Sequence, residues 1–297
     1  FMKIYDCTTF YNEHMMYDIR LNILNEKVEK FIVTESIYSH SGQPKKLNFD
    51  INNYKKFKDK IIYIVIDHEP DDIEEVKENK IDESYKKRLN SLKRIELSYN
   101  YMSNAIKDAS DDDLIILSDN DEIPNLNSSI FLNSKKNIFI FKQLLFYYKF
   151  NLHYDLIPWF GSKACKKKQL ISFSWLRNIK SRKYPIWRLD TYFSKTKYNN
   201  IEMVKNGGWH FTNIKTPEEI YKKLSNFGHH NEFELSGLDI TKIEKFIKEK
   251  KVFYNHFVDK SNPYKWENSY KLKKVEHNKL PKFLIENKES FNQWFDD

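Results

Sequence analysis

Two aspartates that directly follow an apolar run are the strongest chemical signal in this sequence. Asp119 and Asp121 belong to Ser118-Asp119-Asn120-Asp121-Glu122-Ile123-Pro124, which comes right after the strand-like Leu114-Ile115-Ile116-Leu117. Two carboxylates in one turn supply the oxygen ligands that Mg²⁺ and Mn²⁺ prefer, and such an ion can bridge the phosphates of a nucleotide. Asp-x-Asp is common by chance, but its place after a buried strand predicts a metal site at Asp119 and Asp121.

Polar residues also follow the other strands predicted in the first third of the chain. Because parallel strands end at one edge of a sheet, these side chains would lie beside the two aspartates, where the nucleoside of a bound nucleotide would sit. Each one singly could equally be a loop residue or a helix cap. The predicted donor-binding residues of this group are Thr8, Phe10, Asn12, Glu13, Glu35 and Asp67.

Arginine is informative because only six of the 50 basic residues are Arg. Arg88 borders the buried stripe predicted for the longest helix, so its guanidinium could bind a diphosphate or a carboxylate at the sheet edge. A structural ion pair is the alternative. Arg94 faces away from that stripe, and we expect it in solvent. Arg177 and Arg188 flank a basic, aromatic stretch that could stack on a sugar or a base, or simply pack at the surface.

Gly207-Gly208-Trp209-His210-Phe211 is the other unusual string, since the chain has only six glycines. Adjacent glycines indicate a sharp backbone turn or the close approach of a ligand. Trp209 could form a platform for a sugar ring, and His210 could be a metal ligand or a hydrogen-bond partner. A tight turn with a core Trp is the alternative. Further on, His229-His230-Asn231-Glu232 adds two imidazoles and a carboxylate.

The composition excludes several classes of protein. The chain has 297 residues, a net charge of +8, 16% aromatic residues and two cysteines. No G-x-G-x-x-G, P-loop, H-E-x-x-H or G-x-S-x-G motif occurs, which argues against Rossmann dehydrogenases, P-loop NTPases, zincin proteases and hydrolases with a nucleophile elbow. The positive charge is scattered Lys, which favours a solvated surface over a face for nucleic acid or anionic membrane. No apolar run is long enough to span a membrane, and we expect a cytoplasmic protein.

The elements that must position these residues alternate between strands and helices. Apolar strands are predicted at 3–8, 30–35, 61–66 and 114–117, with helices at 13–25 and 83–107. Nearly continuous apolar strands are buried on both faces, so the order predicts an α/β fold with an open, mostly parallel sheet flanked by helices. Aromatic strands follow within 137–206, and capping signals open further helices near Thr216 and Thr241. We predict one domain over residues 1–260 and a C-terminal appendage, residues 261–297, packed on it.

Several of these strings, in the same order, resemble glycosyltransferase family 17, which contains the β-1,4-mannosyl-glycoprotein β-1,4-N-acetylglucosaminyltransferases. The resemblance covers roughly residues 2–256. The strings that carry it are Met2-Lys3-Ile4-Tyr5-Asp6-Cys7-Thr8-Thr9-Phe10-Tyr11-Asn12-Glu13, Arg20-Leu21, Phe31-Ile32-Val33-Thr34-Glu35, Ser39-His40-Ser41-Gly42, Pro44-Lys45, the string from Ser118 to Pro124, Gly208-Trp209-His210-Phe211, Lys223-Leu224 and His230-Asn231-Glu232.

The resemblance implies a GT-A fold, a nucleotide-sugar donor with UDP-N-acetylglucosamine as the first candidate, a divalent metal, and inversion at the anomeric carbon. It also implies that Asp121 binds the metal and that Asp119 binds the donor's ribose or a metal-bound water. Glu35 and Asp67 would hold the nucleoside, with Arg88 near the diphosphate. Asn120, Trp209 and His210 complete the predicted donor site.

The sequence therefore predicts an inverting glycosyltransferase that uses Mn²⁺ or Mg²⁺ and a UDP-sugar to modify a glycan or another hydroxyl acceptor. A carboxylate should deprotonate the acceptor hydroxyl, and Asp190 and Glu232 are the candidates. A nucleotide-sugar hydrolase or a sugar-phosphate transferase with the same metal site is the first alternative. The second is a basic protein that binds nucleic acid or an anionic surface. The ordered motifs disfavour it, and no nucleic-acid partner is expected.

Overall fold

One mixed β-sheet organises the molecule, whose computed structural model describes residues 2–76, 82–185, 187–194, 196–198, 200–226, 233–234, 236–257 and 270–297. Its strands pair in the order β3-β2-β1-β4-β7-β6-β9-β5, with β10 on β7 and β8 on β6. The strands are β1 (Ile4–Thr9), β2 (Lys30–Ser36), β3 (Ile61–Ile66), β4 (Leu114–Leu117), β5 (Glu122–Pro124), β6 (Ile138–Tyr147), β7 (Leu152–Lys166), β8 (Ile201–Val204), β9 (Gly208–Thr212) and β10 (Lys273–Lys274).

The predicted α/β class is confirmed, and the first four strands form the expected parallel half. β1 lies between β2 and β4, and β3 pairs outside β2, all in parallel. The direction changes at β7, which runs antiparallel to β4, β6 and β10. On the other side of β7, β6 pairs in parallel with both β8 and β9. The last strand of the sheet, β5, pairs antiparallel with β9. The aromatic strands of the middle of the chain thus extend the parallel half into a mixed sheet.

Helices flank both faces of this sheet, and no helix within the described ranges is long and apolar enough to cross a membrane. Short 3-10 helices cover Ile51–Lys60 and Tyr101–Ile106. The α-helices are α1 (His14–Leu24), α2 (Asp82–Asn100), α3 (Ser129–Asn133), α4 (Phe173–Asn178), α5 (Asp190–Phe193), α6 (Pro217–Asn226), α7 (Ile240–Lys248) and α8 (Lys282–Glu286).

Two expectations about the longest helix are wrong. The predicted apolar stripe included Tyr85 and Leu92, but these side chains are 72% and 51% exposed, because the first half of α2 packs with only part of that face. Arg94 was expected in solvent, whereas its guanidinium donates to both carboxylate oxygens of Glu69, at 2.7 and 3.0 Å. It also lies against Gly42, where a Cβ would stand 2.6 Å from its Nη2, so a larger residue there would displace it.

The C-terminal residues 270–297 pack on the same sheet as the rest of the chain. β10 extends β7, and α8 contacts α1. The indole Nε1 of Trp209 donates to the carbonyl of Lys279 at 2.7 Å, which joins this segment to β9. The division predicted at residue 260 falls outside the described residues and stays a prediction.

A buried charge joins α1 to the sheet. Arg20 is fully buried and donates from Nε and Nη2 to the two carboxylate oxygens of Asp6 on β1, at 2.7 and 2.5 Å. Its Nη1 donates to the carbonyl of Glu122 at 2.6 Å, and the carbonyl of Asp119 lies 3.5 Å away. One guanidinium therefore connects the helix, β1 and the turn after β4. Removing only one partner would leave a buried charge without its counter-ion.

We predict that Arg20→Met lowers the free energy of unfolding by about 3–5 kcal/mol, because the Asp6 carboxylate is left buried and unpaired. The double variant Asp6→Asn/Arg20→Met should recover part of this loss, since it removes the stranded charge as well. Urea denaturation of both proteins gives the comparison. If the double variant has a lower free energy of unfolding than Arg20→Met, the two substitutions act independently and this explanation is wrong.

Candidate active site

The two predicted aspartates lie in the turn between β4 and β5, at the carboxyl ends of the parallel strands. The backbone N–H of Asp119 donates to Oε2 of Glu122 at 3.0 Å, and the N–H of Glu122 donates to the carbonyl of Asp119 at 3.0 Å. The backbone N–H of Phe211 donates to the carbonyl of Asp121 at 2.8 Å, which fixes the turn against β9. The turn is therefore held by backbone bonds that leave the Asp119 and Asp121 carboxylates for other partners.

Asp119 is held by groups from two helices. The Tyr99 hydroxyl, from the end of α2, donates to its Oδ1 at 2.6 Å. Arg177, from α4, donates from Nη1 to the same oxygen at 2.6 Å, and its guanidinium lies 4.7 Å from the centre of the Tyr99 ring. Burial opposes ionisation of Asp119, but the charge of Arg177 and these hydrogen bonds hold the pKa of this carboxyl below its usual range.

Asp121 faces an imidazole and an ammonium group. Its Oδ1 lies 3.4 Å from Nε2 of His210, and its Oδ2 accepts from Nζ of Lys223 at 3.4 Å. These groups outweigh the cost of burial and hold the pKa of Asp121 well below its usual range. The carboxylate in turn raises the pKa of His210, against the effect of that ring's own burial. Each aspartate of the site thus has its own basic partners.

Glu122 completes the acidic turn in a different environment. Its carboxylate is buried and accepts from the Trp159 indole Nε1 at 2.9 Å as well as from the backbone of Asp119. Burial, followed by the charge of Asp119, raises the pKa of Glu122 to about 6. A Cβ at Gly161 would stand 2.7 Å from its Cδ and 2.1 Å from Oε1 of Gln143, so only glycine lets β7 pass this close.

The adjacent glycines place His210 in the site by a close backbone approach. Gly208 has φ +118°, and a Cβ there would meet the carbonyl oxygen of Ile123 at 2.1 Å. This contact seats β9 on β5 with Glu122 opposite His210. The glycines were predicted to allow a sharp turn or the close approach of a ligand, whereas at Gly208 the structure shows the close approach of a neighbouring strand's backbone; contact with a ligand stays a prediction. The Trp159 ring packs against the His210 ring in a tilted arrangement, with centroids 4.4 Å apart and an interplanar angle of 41°.

Lys163 binds the backbone at the end of the helix that carries Arg177. It is a largely buried residue of β7, and its Nζ donates to the carbonyls of Arg177 and Ile179 at 2.5 and 2.6 Å, at the C-terminal end of α4. A cation at this end of a helix satisfies carbonyls that have no partner within the helix. Burial and the neighbouring Arg177 lower the pKa of Lys163 to about 8.

Glu35 lies at the end of β2, as predicted, but its oxygens are already occupied by the protein. They accept from the backbone N–H groups of Asn48 and Phe49, at 2.8 and 3.0 Å, and from the Tyr63 hydroxyl at 2.9 Å. Lys45 also donates to this carboxylate. Glu35 therefore shapes the loop over 45–49 at this edge, and its contact with a nucleoside stays a prediction.

The other predicted donor residues take several positions. Thr8 and Phe10 are buried at the end of β1, and Phe10 packs edge-on against Phe49 with centroids 5.3 Å apart. Glu13 accepts from the backbone N–H groups of Tyr11 and Asn12 at 2.9 and 3.0 Å. Of the remaining predicted donor residues, Asn12 is exposed, Asp67 is exposed and paired with His68, Arg88 and Trp209 are half-buried, and Asn120 is buried. The part of all these residues in donor binding stays a prediction.

The two candidate bases are not equally described. Asp190 begins α5 at the surface, and its two oxygens accept from Arg188 and Lys197 at 2.7 and 2.8 Å. These partners hold the pKa of Asp190 well below its usual range, which makes it a weak proton acceptor at neutral pH. Glu232 lies outside the described residues.

The fold brings four residues to the acidic turn that the sequence does not assign to it. The scarcity of Arg singles out Arg177, but as part of an aromatic stretch that could stack on a sugar or a base and not as a partner of Asp119. Lys223 appears only within a family string. No sequence signal indicates that Tyr99 and Trp159 contact the turn.

A divalent metal would find few protein ligands here. Within the described ranges, no cluster of three or more His, Cys, Asp or Glu side chains could hold a metal ion. Asp121 is the less tightly bound carboxylate, since its partners His210 and Lys223 lie 3.4 Å from its oxygens, whereas Oδ1 of Asp119 accepts two hydrogen bonds of 2.6 Å. Mg²⁺ in nucleotide sites commonly uses one or two carboxylates and takes its other ligands from phosphate and water. The donor set fits an ion held in that way, together with a bound diphosphate.

We predict that Glu122→Gln changes how stability depends on pH. The folded-state pKa of about 6 exceeds the ordinary value of 4.5, so the wild-type protein loses stability as pH rises through this interval. The free energy of unfolding of the wild-type protein should fall by about 1–2 kcal/mol over this interval, and that of Glu122→Gln should not. Urea denaturation at about pH 4.5 and about pH 7.5 measures the difference. Glu276→Gln, at an exposed site, is the matched control, and equal pH dependence in all three proteins would contradict the assignment.

Comparison with known proteins identifies the family. A search of curated proteins gives no match. Among solved structures, the chain is similar to the inositol-1-phosphate CTP transferase from T. maritima, with 12% identity, a TM-score of 0.32, and coverage of 71% of this chain and 86% of that chain. The model of glycosyltransferase family 17 matches residues 1–295. This match confirms the resemblance seen in the ordered motifs, and the chain belongs to glycosyltransferase family 17.

Proposed function

We propose that this chain is a metal-dependent inverting glycosyltransferase with a GT-A fold. It would move a sugar, with N-acetylglucosamine from UDP-N-acetylglucosamine as the first candidate, onto a hydroxyl of a glycan or a similar acceptor. The observation that carries the proposal is the pair Asp119 and Asp121 at the carboxyl end of β4, with Arg177 beside the first and Lys223 and His210 beside the second. Ligands of open α/β sheets bind at this edge, and family membership supports sugar transfer.

The cations around the two aspartates suit a diphosphate. Arg177 and Asp119 keep 38% and 40% of their side chains exposed, so a ligand can reach both. A guanidinium can bind two phosphate oxygens at once, whereas Lys223 acts as a compact point charge. When the bond to the sugar breaks, negative charge builds on the departing diphosphate. Fixed cations that need no reorganisation stabilise that charge.

Mn²⁺ or Mg²⁺ is part of this proposal, with Asp121 as the residue that would hold it and Asp119 directed at the ribose or at a metal-bound water. Bound there, the ion would neutralise charge on the diphosphate as a Lewis acid. The protein's own contribution is to keep Asp121 ionised, which Lys223 and His210 do by lowering the pKa of its carboxyl. Asp121 is therefore a carboxylate throughout the neutral pH range.

Inversion needs a base on the face of the sugar opposite the diphosphate. Asp190 and Glu232 remain the proposed bases. Because Arg188 and Lys197 stabilise the Asp190 carboxylate as an anion, Glu232 is the first to test. If Glu232 is the base, Glu232→Gln should abolish transfer without weakening donor binding.

We predict that Asp121→Asn lowers kcat/KM for sugar transfer by about 10²-fold or more, because the carboxylate that would hold the metal ion, and with it the charge stabilisation of the departing diphosphate, is lost. The measurement is transfer from UDP-N-acetylglucosamine with Mn²⁺ across a panel of hydroxyl acceptors, with UDP release followed in parallel. Asp112→Asn is the control, since Asp112 is an exposed aspartate just before β4 that pairs with Lys166 and Lys168.

Near wild-type transfer by a folded Asp121→Asn protein would show that Asp121 does not hold a metal ion that the reaction needs. UDP release without a glycosylated product, on any acceptor of the panel, would replace the proposed transfer with hydrolysis of the nucleotide sugar.

A further inference from the structure

Three large apolar side chains that lie close together in the sequence are almost wholly exposed. Trp187, Leu189 and Phe193 are 79%, 68% and 89% exposed. They fall within seven consecutive positions of the chain, in the segment that follows the helix α4. Single exposed apolar residues are ordinary, but three so close in the chain and so exposed favour an interaction surface.

The backbone around them is anchored, so their exposure is built into the fold. The backbone N–H of Arg188 donates to the carbonyl of Pro185, and the N–H and Oγ1 of Thr191 donate to the carbonyl of Arg188 at 3.0 and 2.7 Å. Thr191 itself is buried. At the C-terminal end of the segment, the Trp175 indole on α4 donates to the carbonyl of Thr196 at 3.1 Å. The segment is thus fixed inward by Thr191 and Trp175, while the three apolar side chains face solvent.

Basic residues flank this apolar group. Lys180, Arg182 and Lys183 are exposed and directly precede it. The acid within the segment is Asp190, and it is neutralised by Arg188 and Lys197. We call the set of Lys180, Arg182, Lys183, Trp187, Leu189 and Phe193 the basic apolar patch. Its charge is positive, and its apolar part is aromatic and aliphatic.

This combination selects one kind of partner. Trp, Phe and Leu side chains partition into the interface of a bilayer, and Lys and Arg are attracted to anionic headgroups. Protein interfaces are also rich in aromatic residues and Arg, but they are poor in Lys, which supplies two of the three charges counted in this patch. A second copy of this chain would bring like charges together at the same patch, which is unfavourable.

We propose that the basic apolar patch attaches this protein to the surface of an anionic lipid bilayer, with Trp187, Leu189 and Phe193 inserted at the interface and the three basic residues on the headgroups. The proposal is independent of the sugar-transfer function.

The test is co-sedimentation of the protein with vesicles of phosphatidylcholine alone and of phosphatidylcholine with about one third phosphatidylglycerol. Wild-type protein should bind the anionic vesicles and not the neutral ones. The triple variant Trp187→Ser/Leu189→Ser/Phe193→Ser should bind at least about ten-fold more weakly, because it has lost its interfacial side chains. Lys180→Gln/Arg182→Gln/Lys183→Gln should lose binding to a similar extent, because each charge near an anionic surface contributes several-fold.

The matched control is Tyr85→Ser/Leu92→Ser, which removes two exposed apolar side chains from α2 and should leave vesicle binding unchanged. Circular dichroism and thermal melting check that each variant is folded. An independent fluorescence measurement compares wild-type protein with Trp187→Phe, which keeps an aromatic side chain at this position. Brominated lipid should quench part of the wild-type indole emission, and that part should be missing in the variant.

Failure of wild-type protein to bind anionic vesicles would overturn the proposal, as would equal binding to neutral ones. So would a triple variant that binds like wild type. If the triple variant instead changes the mass of the protein in light scattering, the patch joins copies of the chain and the bilayer proposal is wrong.

Discussion

The buried guanidinium of Arg20 is the interaction on which the geometry of the candidate site depends. It has no exposed surface, and its hydrogen bonds go to the Asp6 carboxylate and to the carbonyl of Glu122, with that of Asp119 at the limit of hydrogen-bonding distance. A buried charge of this kind is tolerated only where its partners are complete. α1, β1 and the acidic turn are therefore held in one arrangement. The positions of Asp119 and Asp121 follow from a contact beneath them.

Above that contact, three acids in neighbouring positions are placed in different environments. Asp119 has Arg177 and Tyr99, Asp121 has His210 and Lys223, and Glu122 has hydrogen bonds from an indole and a backbone N–H. The pKa of both aspartates is held low, while that of Glu122 is raised to about 6. Environments that separate the pKa values of nearby carboxyl groups are typical of functional sites. Asp119 and Asp121 therefore stay anionic beside Arg177 and Lys223, whose charges could also bind a diphosphate.

The sequence was sufficient where local pattern decides structure. Continuous apolar runs indicated the first four strands, and the strand before Asp119 indicated where the two carboxylates would emerge. The partners of those carboxylates could not be found in this way, because Arg177 lies 58 positions and Lys223 lies 102 positions along the chain from the aspartate each contacts. Such contacts depend on how β5, β7 and β9 pair, which periodicity does not encode. The same limit explains Tyr85 and Leu92, since a helical stripe shows which residues share a face and not what covers it.

The central claim is that the acidic turn and its cations form a site for a nucleoside diphosphate. Binding of UDP, GDP and CDP by calorimetry, with and without Mn²⁺, tests it most directly. The account predicts saturable binding of a nucleoside diphosphate, UDP first, that is strengthened by Mn²⁺ and weakened at least about ten-fold in Arg177→Met, which removes the bidentate donor at Asp119. Absence of binding by every diphosphate in both conditions, or equal binding by wild-type protein and a folded Arg177→Met variant, would contradict it.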